Sequence, residues 1–168
     1  MMFKASVPAS LDGGFFKEES SMPDLLKNED LERAVTILRE NETYTCVLIK
    51  GDEMLFSDAH GVRALLKWTG EGRDLAGFSS ADRIVGKAAA LLYVKMGIAS
   101  VHACTVSEAA VSVLEKHEIP LEYDRRVPQI LNRDGSDMCP MEKAVARIDD
   151  PAAAPEALAE AVRAMQKK

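Results

Sequence analysis

The sequence is poor in aromatic residues, which make up only 5% of its 168 residues. Proteins that bind single-stranded nucleic acids stack bases on aromatic side chains, and the net charge of -6 also disfavours a phosphate backbone as partner. The same charge disfavours an anionic membrane surface, and no apolar run approaches the roughly 18 residues of a membrane span. We therefore expect neither a nucleic acid nor a membrane as partner.

Cysteine is scarce as well, since Cys46, Cys104 and Cys139 lie far apart and form no C-x-x-C pair. An odd number of well-separated cysteines argues against a disulfide framework and favours a reducing compartment. The first residues lack the basic and apolar stretches of a signal peptide, so we expect a cytoplasmic protein. Glycine motifs for phosphates, dinucleotides or a serine nucleophile are also absent, and we predict no cofactor.

Hydrophobic residues are plentiful, at 47%, and suffice for the core of one domain. Residues 1–22 are predicted to form a flexible tail, 23–150 the domain, and 151–168 a C-terminal helix packed on it. Along the chain, the predicted elements begin with a helix that starts near residue 24 or 28, a hairpin around Gly51, and helices over 62–68 and 80–96. A strand over 98–105, a helix over 107–116, short elements at 121–123 and 127–131, and helices over 140–148 and 155–166 follow. This order predicts an α/β fold, a three-layer α/β/α sandwich around a mixed sheet.

The stretch from Asn132 to Glu142 combines a turn, several charges and a Cys-Pro pair. Pro140 suits the first position of a helix, which makes Cys139 the N-cap and Glu142 the third helical residue, as in a capping box. The helix dipole would lower the pKa of the thiol, while nearby carboxylates would raise it. Cys139 is therefore either a nucleophile that traps a ligand or an inert cap.

Two further features, the turn before Cys139 and Lys87, each allow a structural and a functional interpretation. The turn Asn132-Arg133-Asp134-Gly135 is either an ordinary surface turn or a device that orients a polar ligand beside Cys139. Lys87 follows Gly86 within the predicted helix 80–96, where it is either solvated or serves as a base or an anion clamp. Gly86 suggests close approach of a neighbouring backbone.

His102 and Cys104 alternate on a predicted strand and point to the same side. Zinc requires three or four ligands, and the other candidate ligands are scattered along the chain. We therefore predict no metal site.

The chain resembles a prokaryotic family known as domain of unknown function 1893, which has a cytidine-deaminase-like fold. The matching segments, within about 30–150, are Ala81 to Ala90, Val106-Ser107-Glu108, Val127-Pro128, Asn132 to Gly135, Met138 to Glu142, and Asp149-Asp150-Pro151. Active zinc deaminases open one helix with His-x-Glu and the next with Pro-Cys-x-x-Cys. Asp82 to Lys87 and Ser107-Glu108 stand at the corresponding places without metal ligands, so the resemblance implies the scaffold and not zinc-dependent deamination.

The resemblance implies a site where Lys87, Ser107 and Cys139 converge. Our first hypothesis is a metal-independent, cysteine-dependent enzyme or covalent binder of a small polar or nucleotide-like molecule. Its catalytic residues would be Cys139, Lys87 and Asp134, and its ligand-binding residues would be Asp82, Ser107, Glu108, Asn132, Arg133 and Glu142.

The alternative hypothesis is a non-catalytic small-molecule-binding or interaction module in which Cys139 is structural. A third is a divergent zinc deaminase that uses His102 and Cys104. A homodimer through apolar helix faces is compatible with each.

Overall fold

The computed structural model describes residues 28–167, so the predicted tail over 1–22 lies outside the described residues. The helices are α1 (Glu29–Glu40), α2 (Arg63–Gly70), α3 (Lys87–Met96), α4 (Glu108–Lys116), α5 (Pro140–Ala144) and α6 (Ala154–Gln166), with a 3-10 turn at Pro151–Ala153. The strands are β1 (Cys46–Lys50), β2 (Glu53–Ser57), β3 (Ser79–Val85), β4 (Ser100–Ser107) and β5 (Leu121–Val127). No helix among these is long and apolar enough to cross a membrane.

The five strands form one mixed sheet in the order β2-β1-β3-β4-β5. β1 pairs antiparallel with both β2 and β3, whereas β3, β4 and β5 are parallel. The parallel strands are joined by α3 and α4, which pack against each other. Because both crossovers follow the same direction across the sheet, both helices lie on one face.

Helix α1 covers the opposite face of the sheet. Its buried residues Leu31, Ala34, Val35 and Leu38 are spaced as on one side of a helix. Ala34, Val35 and Leu38 pack on Val47, Ile49 and Ala81, the residues of β1 and β3 that point toward α1. The main core lies on the other face, under α2 to α6. The three-layer α/β/α architecture predicted from the element order is therefore confirmed.

The predicted helix over 80–96 is wrong in its first half. Ser79–Val85 is the buried central strand β3, and the helix starts only at Lys87. Serine and aspartate indicate a helix N-cap when they are exposed. Here Ser79, Ser80 and Asp82 are buried and bond to partners far along the chain, which no local pattern reveals.

Arg83 belongs to the same strand. Its guanidinium donates to the carbonyl oxygens of Tyr44 at 2.7 Å, Leu38 at 2.7 Å and Asn41 at 3.1 Å. It thereby bonds the C-terminal end of α1, where carbonyl groups lack helical partners.

The other boundaries are closer to prediction. Gly97 ends α3 with φ at +78°, as expected of a C-terminal glycine, and Ser107 caps α4. β5 is longer than the strand predicted at 121–123, and α5 is shorter than the helix predicted over 140–148. The element predicted over 127–131 is reduced beyond β5 to one bridge between Leu131 and Met138.

Candidate functional site

A short loop closed by the Leu131–Met138 bridge precedes α5. The backbone N–H of Asn132 donates to the Asp137 carbonyl at 2.8 Å, and the Asn132 side chain accepts from Ser136 N at 3.0 Å. Gly135 takes φ +76°, a conformation that favours glycine. The predicted turn is thus ordered by its own hydrogen bonds.

Asp134, one of the predicted catalytic residues, belongs to this internal network. Its Oδ1 accepts from the backbone N–H of Ser136 at 2.9 Å and from the Ser136 hydroxyl at 2.6 Å. The Ser136 hydroxyl and backbone N–H hold the pKa of the Asp134 carboxyl below its usual value. Arg133 is exposed beside it.

Cys139 is the N-cap of α5 and Pro140 its first residue, as predicted. The thiol makes no capping hydrogen bond, and the half-buried side chain packs against the main core. The predicted capping box is wrong, because the Cys139 backbone N–H donates to the Ile130 carbonyl at 2.9 Å and Glu142 points elsewhere.

The Glu142 carboxylate caps α3. It accepts from the backbone N–H groups of Lys87 at 2.8 Å and Ala88 at 2.9 Å, and the residue is only 9% exposed. A carboxylate at this end of a helix satisfies free N–H groups and complements the dipole. The close approach predicted at Gly86 exists, but the neighbour is this side chain: a Cβ there would lie 2.5 Å from Glu142 Oε2.

Lys87 is the first residue of α3, and its ammonium is also engaged. Nζ donates to the Ala146 carbonyl at 3.1 Å and lies 3.7 Å from Asp149 Oδ1, with the side chain only 14% exposed. Lys87 therefore ties α3 to the segment after α5. The structure joins Lys87 to Glu142, while the convergence of Lys87, Ser107 and Cys139 stays a prediction.

Ser107 and Glu108 begin α4. The buried Ser107 hydroxyl accepts from Ala110 N at 3.1 Å, and the exposed Glu108 pairs with Arg126 at 2.5 Å. In the described chain, neither this helix start nor Gly86-Lys87 offers a thiol or an imidazole. These residues do not fit the zinc ion of active deaminases.

Asp82 lies in a buried network on the α3 face of the sheet. Tyr93 donates to Asp82 Oδ2 at 2.6 Å and accepts from Ser80 at 2.8 Å, and the Cys46 sulfur lies 3.4 Å from the Tyr93 oxygen. Burial raises the pKa of Asp82 to about 6. Burial, together with the Asp82 charge, raises the pKa of Cys46, so this thiol is not reactive at neutral pH.

An open groove of about 560 Å³ adjoins the ordered loop and α5. Its lining, which we call the loop groove, consists of Gln129, Leu131, Gly135, Ser136, Asp137, Met138, Lys143 and Ala146. The Lys143 ammonium contacts the Asp137 carboxylate and lowers its pKa. Sequence reasoning did not single out Lys143, because a separation of six residues carries no local signal.

A second polar cluster lies on the α1 face of the sheet, where His102, Cys104 and Asp124 bring their donor atoms within 4.8 Å of one another. His102 Nδ1 donates to Glu122 Oε2 at 2.8 Å. Burial disfavours the charged imidazole, but the contacts with Asp124, Cys104 and Glu122 outweigh it and raise the pKa of His102 to about 11. Asp124 was not foreseen, because it lies on the neighbouring strand.

A family model described as domain of unknown function, DUF1893, matches residues 33–162. The chain is similar to the crystal structure of a DUF1893 family protein from Thermotoga maritima, with a TM-score of 0.71 and 26% sequence identity. The match covers 82% of this chain and 91% of that chain.

A weaker similarity links the chain to a diaminohydroxyphosphoribosylaminopyrimidine deaminase/5-amino-6-(5-phosphoribosylamino)uracil reductase, also from Thermotoga maritima. Its crystal structure is 18% identical with a TM-score of 0.38, and the match covers 57% of this chain and 35% of that chain. A search among curated proteins finds no significant match.

Proposed function

We propose that this chain, which belongs to the DUF1893 family, binds a small polar, nucleotide-like molecule in the loop groove. Family membership confirms the resemblance seen in the sequence motifs and assigns no reaction. The observation that carries the proposal is the groove itself, which adjoins the stretch from Asn132 to Glu142. Its volume of about 560 Å³ falls in the range of small-molecule sites.

The lining of the loop groove suits a molecule that is charged at one end and apolar on one face. Lys143 offers a cation to a phosphate or carboxylate, and Asp137 accepts hydrogen bonds from hydroxyl or amino groups. Leu131, which is 44% exposed, and Met138 provide apolar surface for a flat ring. A nucleoside monophosphate has all three features.

The internal bonds of the loop support the proposal, because they reduce the entropy lost on binding. The side chains of Asn132 and Asp134 accept hydrogen bonds from the backbone N–H of Ser136. In the proposed function they therefore fix the backbone of the groove wall and do not contact the ligand. Direct contact with the ligand is left to Ser136, Asp137 and Lys143.

The test is calorimetric titration of the full chain with CMP and with cytidine. We expect CMP to bind more tightly, and Lys143→Ala to weaken CMP at least about tenfold while changing cytidine much less, because a hydrogen bond to a charged group is lost. The matched control is Lys116→Ala, an exposed lysine outside the groove lining. An equal loss of CMP affinity in Lys143→Ala and Lys116→Ala would contradict the proposal, and so would a failure of the parent protein to bind either CMP or cytidine.

A second candidate function, covalent capture of the ligand by Cys139, is favoured by one observation. The thiol is half-buried, makes no capping bond, and follows Met138 of the groove lining. Iodoacetamide at neutral pH should label Cys139 faster than Cys104, and CMP should slow the reaction. If Cys104 reacts first, or CMP has no effect, Cys139 is structural.

A further inference from the structure

The α1 face of the sheet carries a cluster that the loop groove does not involve. His102 and Cys104 alternate on β4, and Asp124 belongs to the parallel neighbour β5. Their donor atoms all lie within 4.8 Å of one another. An imidazole, a thiol and a carboxylate form a ligand set that zinc accepts, and three protein ligands leave the fourth position for water.

The second observation is the state of His102, which is only 3% exposed. Among residues 28–167 its Nε2 has no hydrogen-bond partner, and it lies 3.5 Å from Asp124 Oδ1. A buried nitrogen without a partner is costly in free energy unless another group satisfies it. A cation between the imidazole and the carboxylate would do so.

The other ring nitrogen has the partner that metal-bound histidines usually have. Nδ1 donates to Glu122 at 2.8 Å, so a metal ion that displaces the Nε2 proton would find the Nε2 lone pair directed at the cluster. A carboxylate behind the histidine fixes the ring and strengthens it as a ligand. Glu122 is thus a positioning residue and not a ligand.

We propose that His102 Nε2, Cys104 Sγ and the Asp124 carboxylate bind a zinc ion on the α1 face of the sheet. Zinc bonds of about 2.0–2.3 Å place tetrahedral ligand atoms about 3.3–3.8 Å apart. The three donor atoms, which lie within 4.8 Å of one another, must therefore approach by up to about 1.5 Å. The Asp124 side chain is 47% exposed and can rotate toward the ion. It must leave Arg39, whose bonds of 3.1 and 3.2 Å belong to an exposed pair of little stability.

Cobalt(II) tests the site directly, because thiolate coordination gives it an intense near-ultraviolet charge-transfer band. Titration of the full, metal-free chain should produce the band at one equivalent, and zinc should abolish it by competition. Cys104→Ser should remove the band, whereas Cys139→Ser, the matched control, should leave it intact. Absence of the band, or its loss in Cys139→Ser and not in Cys104→Ser, would overturn the proposal.

Two exposed positions keep the test independent of folding defects. Asp124→Asn should weaken cobalt binding at least about tenfold, and Glu122→Gln by about 10–100-fold with the band retained, since a second-shell partner is lost. Both variants should match the parent in circular dichroism. Unchanged affinity in both would mean that His102 is held as an ion pair with these carboxylates and that no metal site exists.

Discussion

Replacing Gly86 with alanine probes the contact that closes the N-terminus of α3. The new Cβ would lie 2.5 Å from the Glu142 carboxylate, which must move. Gly86 has φ -102° and ψ -173°, an extended conformation open to any residue. Any loss of stability therefore comes from displacing Glu142 and not from backbone strain.

The expected magnitude follows from the two hydrogen bonds that Glu142 accepts from Lys87 and Ala88. A hydrogen bond to a charged group contributes about 1.5 kcal/mol or more, so Gly86→Ala should lower the free energy of unfolding by about 2–3 kcal/mol. Glu142→Ala should lower it by a similar amount. In the Glu142→Ala background, Gly86→Ala should then change stability by less than about 1 kcal/mol.

Urea unfolding followed by the fluorescence of Trp68, which is buried, measures all four proteins of this double-mutant cycle. Gly70, the last residue of α2, provides the matched control, Gly70→Ala. A Cβ added there would have no atom of the described part of the chain within 4 Å. If Gly86→Ala destabilises the Glu142→Ala protein as much as the parent, displacement of the Glu142 carboxylate is not the cause of the loss.

Three further predictions concern the polar residues Asp82 and Arg83 of β3 and Tyr93 of α3. Burial raises the pKa of Asp82 from 3.8 to about 6. The unfolded state therefore loses its proton first as the pH rises, and stability falls between pH 4 and 6. Asp82→Asn should stabilise the protein at pH 7 by about 2 kcal/mol relative to its effect at pH 4. Tyr93→Phe should cost about 1–3 kcal/mol, because Asp82 and Ser80 lose a buried partner. Arg83→Met should destabilise α1 and speed amide exchange at its C-terminal end.

Each of these predictions has its own contradicting result. A pH-independent difference between Asp82→Asn and the parent would mean that Asp82 ionises normally in the fold. Full stability of Tyr93→Phe would mean that the phenol hydroxyl is dispensable. If amide exchange at the C-terminal end of α1 is as slow in Arg83→Met as in the parent protein, the guanidinium does not stabilise that end of the helix.

Local signals were sufficient for much of the fold. Gly97, Ser107 and Pro140 each act through backbone conformation or capping within a few residues, so their helix boundaries followed from the sequence. β3 was missed because Ser79 and Asp82 have the composition of a helix cap. A buried strand can contain these polar groups because they find hydrogen-bond partners in the folded protein, such as the Tyr93 hydroxyl that donates to Asp82.

The long-range contacts around the candidate site were not predictable from the sequence. The sequence indicated the stretch from Asn132 to Glu142, which adjoins the loop groove. It could not reveal that Glu142 bonds to Lys87, 55 residues away, or that Asp124 joins His102 across two parallel strands. Such contacts depend on how elements pack, and no local periodicity encodes them.

The most direct test of ligand binding in the loop groove is a titration of ¹⁵N-labelled full chain with CMP, followed by amide chemical shifts. We predict saturable shifts centred on Leu131, Ser136, Asp137 and Lys143. Shifts centred instead on Lys87 at the start of α3, or no saturable shifts at all, would contradict binding in the groove.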